Sequence, residues 1–348
     1  MRALCVTPGQ MSTATVEQRP EPPTSDGSVL VEGLLMGVCG TDVEITRDGY
    51  GEPPPGAEKL VLGHESLGRV VQAPDSSGFS AGDLVAGVVR RPDPVPCPWC
   101  AAGEWDMCAN GRYVERGIKQ RDGYGATRWR AEPGFLIPIE SALGDSGVLL
   151  EPTSVVAKAW EQVERIGHRA TYAPRTALVT GAGPIGLLAA MIGVQRGLQV
   201  HVLDRVENGP KPQLVADLGV TYHHTGVAGL GFAPDVVIEA TGYGPLIVDL
   251  LEHLAPNGIM ALAGIMSVDD SIPVPMDLVN KQLVLGNGVV FGSVNAAHRH
   301  YEQAADALAS ADRPWLERLI TRRVPLDRWT EALEKKDDDV KVVIDLQG

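Results

Sequence analysis

Three groups of residues in this sequence have types and spacings that suit chemistry. The first is the turn Gly181-Ala182-Gly183-Pro184-Ile185-Gly186, which follows the apolar run Ala177-Leu178-Val179 and leads into a helix-like stretch to Gln195. Gly181 permits a tight turn, Gly183 lets the backbone approach a pyrophosphate, and Gly186 allows the helix to pack close to the strand. Phosphates there would meet unpaired N–H groups and the positive end of a helix dipole, with Pro184 and Ile185 opening the helix. Asp204 lies 18 residues beyond Gly186, at the end of a second apolar run, placed to accept hydrogen bonds from an adenosine ribose. The second group is Cys39 with Thr41 two residues on, and Gly63-His64-Glu65. Thiolate, imidazole and carboxylate are the usual zinc donors, and three protein ligands with one open position mark a catalytic site. Cys39 and His64 are 25 residues apart, which is not a local metal motif. Taken singly and on types alone, a small buried cysteine and a histidine bonded to a nearby carbonyl are the more common readings. The third group is Cys97, Cys100 and Cys108, three thiols within twelve residues.

The elements that must position these groups divide by pattern. From Arg2 to about Val89 short β-like runs (Ser28 to Glu32, Leu60 to Leu62, Gly68 to Gln72, Leu84 to Val89) alternate with Gly, Pro, Asp and Ser, and no helical period is sustained. This predicts a compact β-rich domain with long loops. Beyond Thr176 strands alternate with helical segments: Val200 to Leu203, Asp235 to Gly242, Gly258 to Gly264 and Leu283 to Gly286 read as strands, and Pro245 to Leu254 as a helix. That is the pattern of a doubly wound parallel sheet, an α/β architecture in which Thr241 and Gly264 would face a bound dinucleotide. His298 to Ala309 reads as a further helix and Val340 to Ile344 as a closing strand of the first domain.

Composition narrows the function classes. The 348 residues suffice for about two domains, and 44% are hydrophobic. A formal net charge of -14 argues against a nucleic-acid partner and against a polybasic membrane anchor. Residues 176 to 194 carry no charge, but three glycines and a proline in the first half fit strand, turn and helix better than a membrane span. No secretion signal is visible, so a cytoplasmic location is expected. Five cysteines without such a signal do not suggest a disulfide framework, and the clustered three suggest metal.

In order along the chain, Gly37 to Asp42, Gly63-His64-Glu65, Gly82-Asp83-Leu84-Val85, the cysteine-rich lobe, Glu151-Pro152 and Gly181 to Gly186 resemble the zinc-dependent medium-chain dehydrogenases/reductases. Shorter motifs resemble the microbial glucose (aldose) 1-dehydrogenases among them: Cys39 to Ile45, Val89-Arg90-Arg91-Pro92, Glu115 to Ile118 followed by Asp122-Gly123, and Gly292-Ser293-Val294-Asn295-Ala296. The resemblance implies a GroES-like β-rich catalytic domain over 1–153 and 296–348, and a Rossmann domain over 154–295. It implies a catalytic zinc on Cys39 and His64, with Glu65 and Glu151 as further carboxylate ligands. Many relatives bind a second, structural zinc through four cysteines. Here three remain, and Asp93 is the candidate fourth ligand beside Cys97, Cys100 and Cys108, since zinc accepts oxygen donors. Glu115 would hydrogen-bond sugar hydroxyls within a charge-dense run whose other side chains suit a solvated loop. Asn295 would lie near the nicotinamide and also bond the sugar.

The reaction so implied is oxidation of an aldose at C1 to the lactone, with zinc polarising the carbinol oxygen, its proton leaving through Thr41, and a hydride passing to the cofactor. Asp204 favours NAD, while Arg205 and Lys211 would tolerate the extra phosphate of NADP. A homodimer or homotetramer is expected. Alternatives on the same fold are a dehydrogenase of another polyol, an amino-cyclitol or a secondary alcohol, and a non-catalytic nucleotide-binding sensor.

Overall fold

The computed structural model describes residues 1–265 and 271–348. The chain divides into two compact units, Met1–Ser154 with Asn295–Gly348, and Val155–Val294. In the first unit the long strand Val29–Val38 is the axis. It pairs antiparallel with Glu65–Gln72, Lys341–Asp345 and Arg128–Ala131 in a seven-stranded sheet. Its apolar residues Val29, Val31, Leu35 and Met36 are buried, and Val342 and Ile344 of the closing strand join Leu4, Leu60 and Leu62 in the core. The expected β runs are present, but one helix lies among them: Gly40–Arg47 begins directly after Cys39. Eight residues are too few to show a helical period, and the signal lies in the cap, where Asp42 sits at the third helical position.

The second unit is a six-stranded sheet, parallel throughout, with spatial order Thr221–His223, Gln199–Leu203, Thr176–Thr180, Val236–Glu239, Ile259–Leu262, Val289–Gly292. Counted along the chain this is order 3-2-1-4-5-6, so the order reverses between Thr176–Thr180 and Val236–Glu239. Leu178, Leu203, Val237 and Met260 are buried together with Leu250 and Leu254. Leu283 to Gly286 proves to be the end of a helix, Met276–Gly286, and the last strand is Val289–Gly292 instead. A run of three apolar residues carries no period to separate strand from helix. Asn287, left-handed at φ 49, ends that helix.

Candidate functional site

Three neighbouring strands assemble the first cluster. Gly37 pairs with Glu65 on one side and with Val343 on the other, and Val38 pairs with Val342. The chain therefore delivers Cys39, Glu65 and Lys341 to one end of the sheet. Gly37 makes room there: a Cβ on it would lie 2.0 Å from Glu65 Oε2 and 2.9 Å from Glu65 Cβ and Lys341 Cε, so these side chains would have to shift. Cys39 caps the helix Gly40–Arg47: its Sγ accepts from Thr41 N–H at 3.3 Å, and its own N–H donates to Asp42 Oδ2 at 3.0 Å. His64 follows Gly63, whose φ of +93 turns the chain into the strand Glu65–Gln72. The outcome is that Cys39 Sγ and His64 Nε2 stand 3.1 Å apart. One donor atom each from Cys39, His64 and Glu65 lie within 4.8 Å of one another.

The charges around this cluster are buried. Asp42 Oδ1 is 3.6 Å from His64 Nδ1, so the carboxylate backs the imidazole on the side away from the thiol. Burial disfavours charge on His64, but Cys39 and Asp42 outweigh it and hold its pKa well above the ordinary range. Burial pushes Asp42 up, against the pull of His64. Glu151, in the first turn of Leu150–Gly167, is pushed up to about 7 by burial despite His64. Glu151 is not among the side chains whose donor atoms share the 4.8 Å cluster. Lys341 donates to Val38 O at 3.1 Å and pairs with Glu65. A thiol, an imidazole and three carboxylates, all but the thiol buried, thus face one ammonium, while among the described residues Asp42 Oδ1 and His64 Nδ1 have no hydrogen-bond partner. A divalent cation with borderline-soft preferences would neutralise this set, and the donors fit zinc.

The second cluster is local. Cys97, Cys100 and Cys108 bring their sulfurs within 4.8 Å of one another, with Cys97 capping the short helix Pro98–Ala101. Backbone N–H groups of Cys100, Ala109 and Trp99 point at Cys97 and lower its pKa to about 6, while burial raises Cys100 to about 11. Asp93 does not bring its carboxylate into this cluster. Its oxygens accept from Val95 N–H, Asn110 and Arg112, and its main-chain N–H points at Cys100 instead.

In the second unit Gly181 has φ +86, and a Cβ on Gly186 would meet Gly181 O at 1.8 Å, so the turn closes only with glycine at both places. A Cβ on Gly183 would meet nothing within 4 Å, which leaves open the approach a pyrophosphate needs. Pro184 and Ile185 start the helix Pro184–Gln195. Asp204 accepts from Ala182 N–H at 2.6 Å and from Val206 N–H at 3.0 Å, so its carboxylate also braces the turn. Arg205 is exposed beside it. Thr241 N–H bonds Glu239 Oε1 at 2.7 Å, and Gly242 N–H bonds the same carboxylate. Glu239, fully buried at the end of Val236–Glu239, lies in the expected strand, but an acid within an apolar run carries no local signal of the N–H groups it will accept.

Residues 25–141 match the family of the alcohol dehydrogenase GroES-like domain, and residues 144–346 match that of the glucose dehydrogenase C-terminus. The chain is 39% identical to the glucose 1-dehydrogenase of Methanocella arvoryzae, over 99% of both chains. To that of Thermoproteus tenax it is 40% identical over the full length of both. The solved structure of Haloferax mediterranei glucose dehydrogenase in complex with NADP, Zn and gluconolactone aligns over 99% of both chains with a TM-score of 0.89 and 31% identity. The chain belongs to the zinc-dependent medium-chain dehydrogenases, in the glucose 1-dehydrogenase group. No helix of this dehydrogenase, among the described residues, is long and apolar enough to cross a membrane.

The dehydrogenase holds Glu115 differently from the solvated loop expected of its surroundings. Val114–Arg116 is a short strand pairing antiparallel with Arg90–Arg91, which sets Arg90 directly opposite Glu115, and Glu115, Arg116 and Ile118 are all buried. Asn295 belongs to the first unit, and its Nδ2 donates to Glu115 Oε1 at 2.7 Å. Nothing local to the run Val89-Arg90-Arg91-Pro92 gives Arg90 a role, and only the strand register makes it Glu115's partner.

Proposed function

We propose that this dehydrogenase oxidises an aldose of the glucose class at C1 to the lactone, with NAD or NADP as hydride acceptor. The observation that carries the reading is the convergence of Cys39, His64 and Glu65 donors within 4.8 Å. Cys39, His64 and Glu65 would hold the zinc, with Glu151 a further carboxylate that feels the charge of His64 and Glu65; when bound, the ion supplies a Lewis acid for a carbinol oxygen. Asp42 orients His64, and Lys341 holds Glu65. The half-buried Thr41, fixed through its N–H to Cys39, carries the departing proton on its hydroxyl. Glu115 receives a sugar hydroxyl, and Asn295 supports it. Gly181, Gly183 and Gly186 admit the pyrophosphate, and Asp204 and Arg205 meet the adenosine ribose. Because both Asp204 oxygens already accept backbone N–H groups, its rejection of a 2′-phosphate is weakened, which favours use of both cofactors.

Cys97, Cys100 and Cys108 would hold a second zinc of structural kind. Val284 and Leu285 are exposed on the helix Met276–Gly286, and Val289–Gly292 is an edge strand, both of which suit association with a second copy of the chain. Initial rates with NAD and NADP over a panel of aldoses, together with zinc analysis, test the reading. D-Glucose turnover that vanishes in Cys39→Ala is expected; full activity in a zinc-free Cys39→Ala protein would overturn it.

A further inference from the structure

Glu115 Oε1 is saturated. Arg90 donates to it from Nε at 3.0 Å and approaches with its NH2 nitrogen at 3.0 Å, and Asn295 Nδ2 adds a third donor at 2.7 Å. Among the described residues no donor reaches Oε2, and that oxygen is not among the enclosed atoms. Arg90 is itself held: NH1 donates to Asp106 O at 3.1 Å, and the guanidinium lies over the Tyr113 ring at 3.7 Å. Asn295 is held too, with φ 59 and its Oδ1 accepting Ala296 N–H at 2.7 Å. A non-glycine residue in the left-handed region carries strain that the surroundings must sustain. A flexible carboxylate would otherwise present either oxygen over a range of angles.

We propose that Arg90 is a positioning residue for substrate specificity: with Asn295 it locks one oxygen of Glu115, so the other is presented alone, at a fixed angle, to a single sugar hydroxyl. This rests on the aldose reading above. The contacts of Arg90 are with Glu115, Asp106 and Tyr113 and not with Cys39, His64 or Glu65, so its work is selection among sugars and not the chemical step. A planar fork is needed for it, because lysine offers a point charge without the paired geometry.

The test is kcat and KM for D-glucose and for the set of monodeoxy-D-glucoses, in the parent and in Arg90→Gln, Arg90→Lys and Asn295→Gly. In the parent, one deoxy sugar loses roughly 10²-fold or more in kcat/KM, because a site built for a hydroxyl rejects its absence. In Arg90→Gln that penalty shrinks to within about tenfold, through KM for D-glucose, with kcat for D-glucose within about threefold of the parent. Arg90→Lys falls between, and Asn295→Gly, which keeps the backbone angle, reduces the same penalty. Calorimetric titration with gluconolactone reads the same loss without turnover. Penalties unchanged in every folded variant, or a uniform rise in KM across all sugars, would overturn the proposal. Should Arg90→Gln fail to fold, as judged by circular dichroism, Arg90→Lys decides, and an unchanged penalty in folded Arg90→Lys overturns the proposal. A parent enzyme that turns over no aldose would instead sink the functional reading itself.

Discussion

The two candidate metal clusters of the first unit are built on opposite principles. Cys39 on one side and His64 with Glu65 on the other come from separate segments 25 residues apart, meet at the end of a sheet, and are surrounded by further charge from Asp42, Glu151 and Lys341. Cys97, Cys100 and Cys108 come from one lobe, offer sulfur alone, and are ringed by backbone N–H groups. A mixed set of donors with carboxylates at hand leaves coordination open to exchange, whereas thiolates alone on one short lobe are the donor type of structural zinc. The first arrangement suits chemistry and the second suits holding a loop in shape.

The sharpest break of that contrast is Cys39→Ala or His64→Ala. Either should lower kcat/KM on the order of 10³-fold or more and remove one zinc per chain, with circular dichroism unchanged, as steady-state kinetics and metal analysis will show. Cys100→Ser should do the reverse. It removes the other zinc and lowers Tm by about 5 °C or more, while kcat stays within about threefold. A kinetic defect without a thermal one in Cys100→Ser would erase the distinction between the clusters. Next comes Asp42→Asn, which leaves all three donors of the first cluster in place but weakens the support of His64. Zinc affinity measured by chelator competition should fall roughly 10–100-fold. The smallest change expected is from Asp93→Asn. The Asp93 oxygens serve Val95, Asn110 and Arg112, so zinc content should remain that of the parent. Loss of one zinc in that variant would restore Asp93 as a ligand.

The sites differ in how far they were legible. The glycine turn Gly181 to Gly186 was plain, because each glycine answers a local steric demand: a positive φ at Gly181 and a carbonyl 1.8 Å from any Cβ at Gly186. The thiol cluster was equally local. The Cys39 to Glu65 cluster needed family resemblance, since nothing within a 25-residue separation requires the two to meet. Asp42 and Lys341 remained invisible as participants, one hidden in a helix cap and the other brought in by a strand some 270 or more residues away from His64 in the chain. Glu115 was singled out by resemblance, but its burial and its partners were not foreseen: a run dense in charge reads as solvated until strand register sets Arg90 opposite it.

Periodicity, glycine sterics and short spacing act within a few residues of one another, and they suffice for the parallel sheet, the phosphate turn and the local thiol lobe. Which oxygen of Glu115 is left free, where the Asp93 carboxylate goes, and that Lys341 and Asp42 flank the metal donors emerge only once the chain is folded. Those outcomes depend on strand pairing and on burial, which raise the stakes of every unpaired charge and are set by the whole fold rather than by neighbours in the chain.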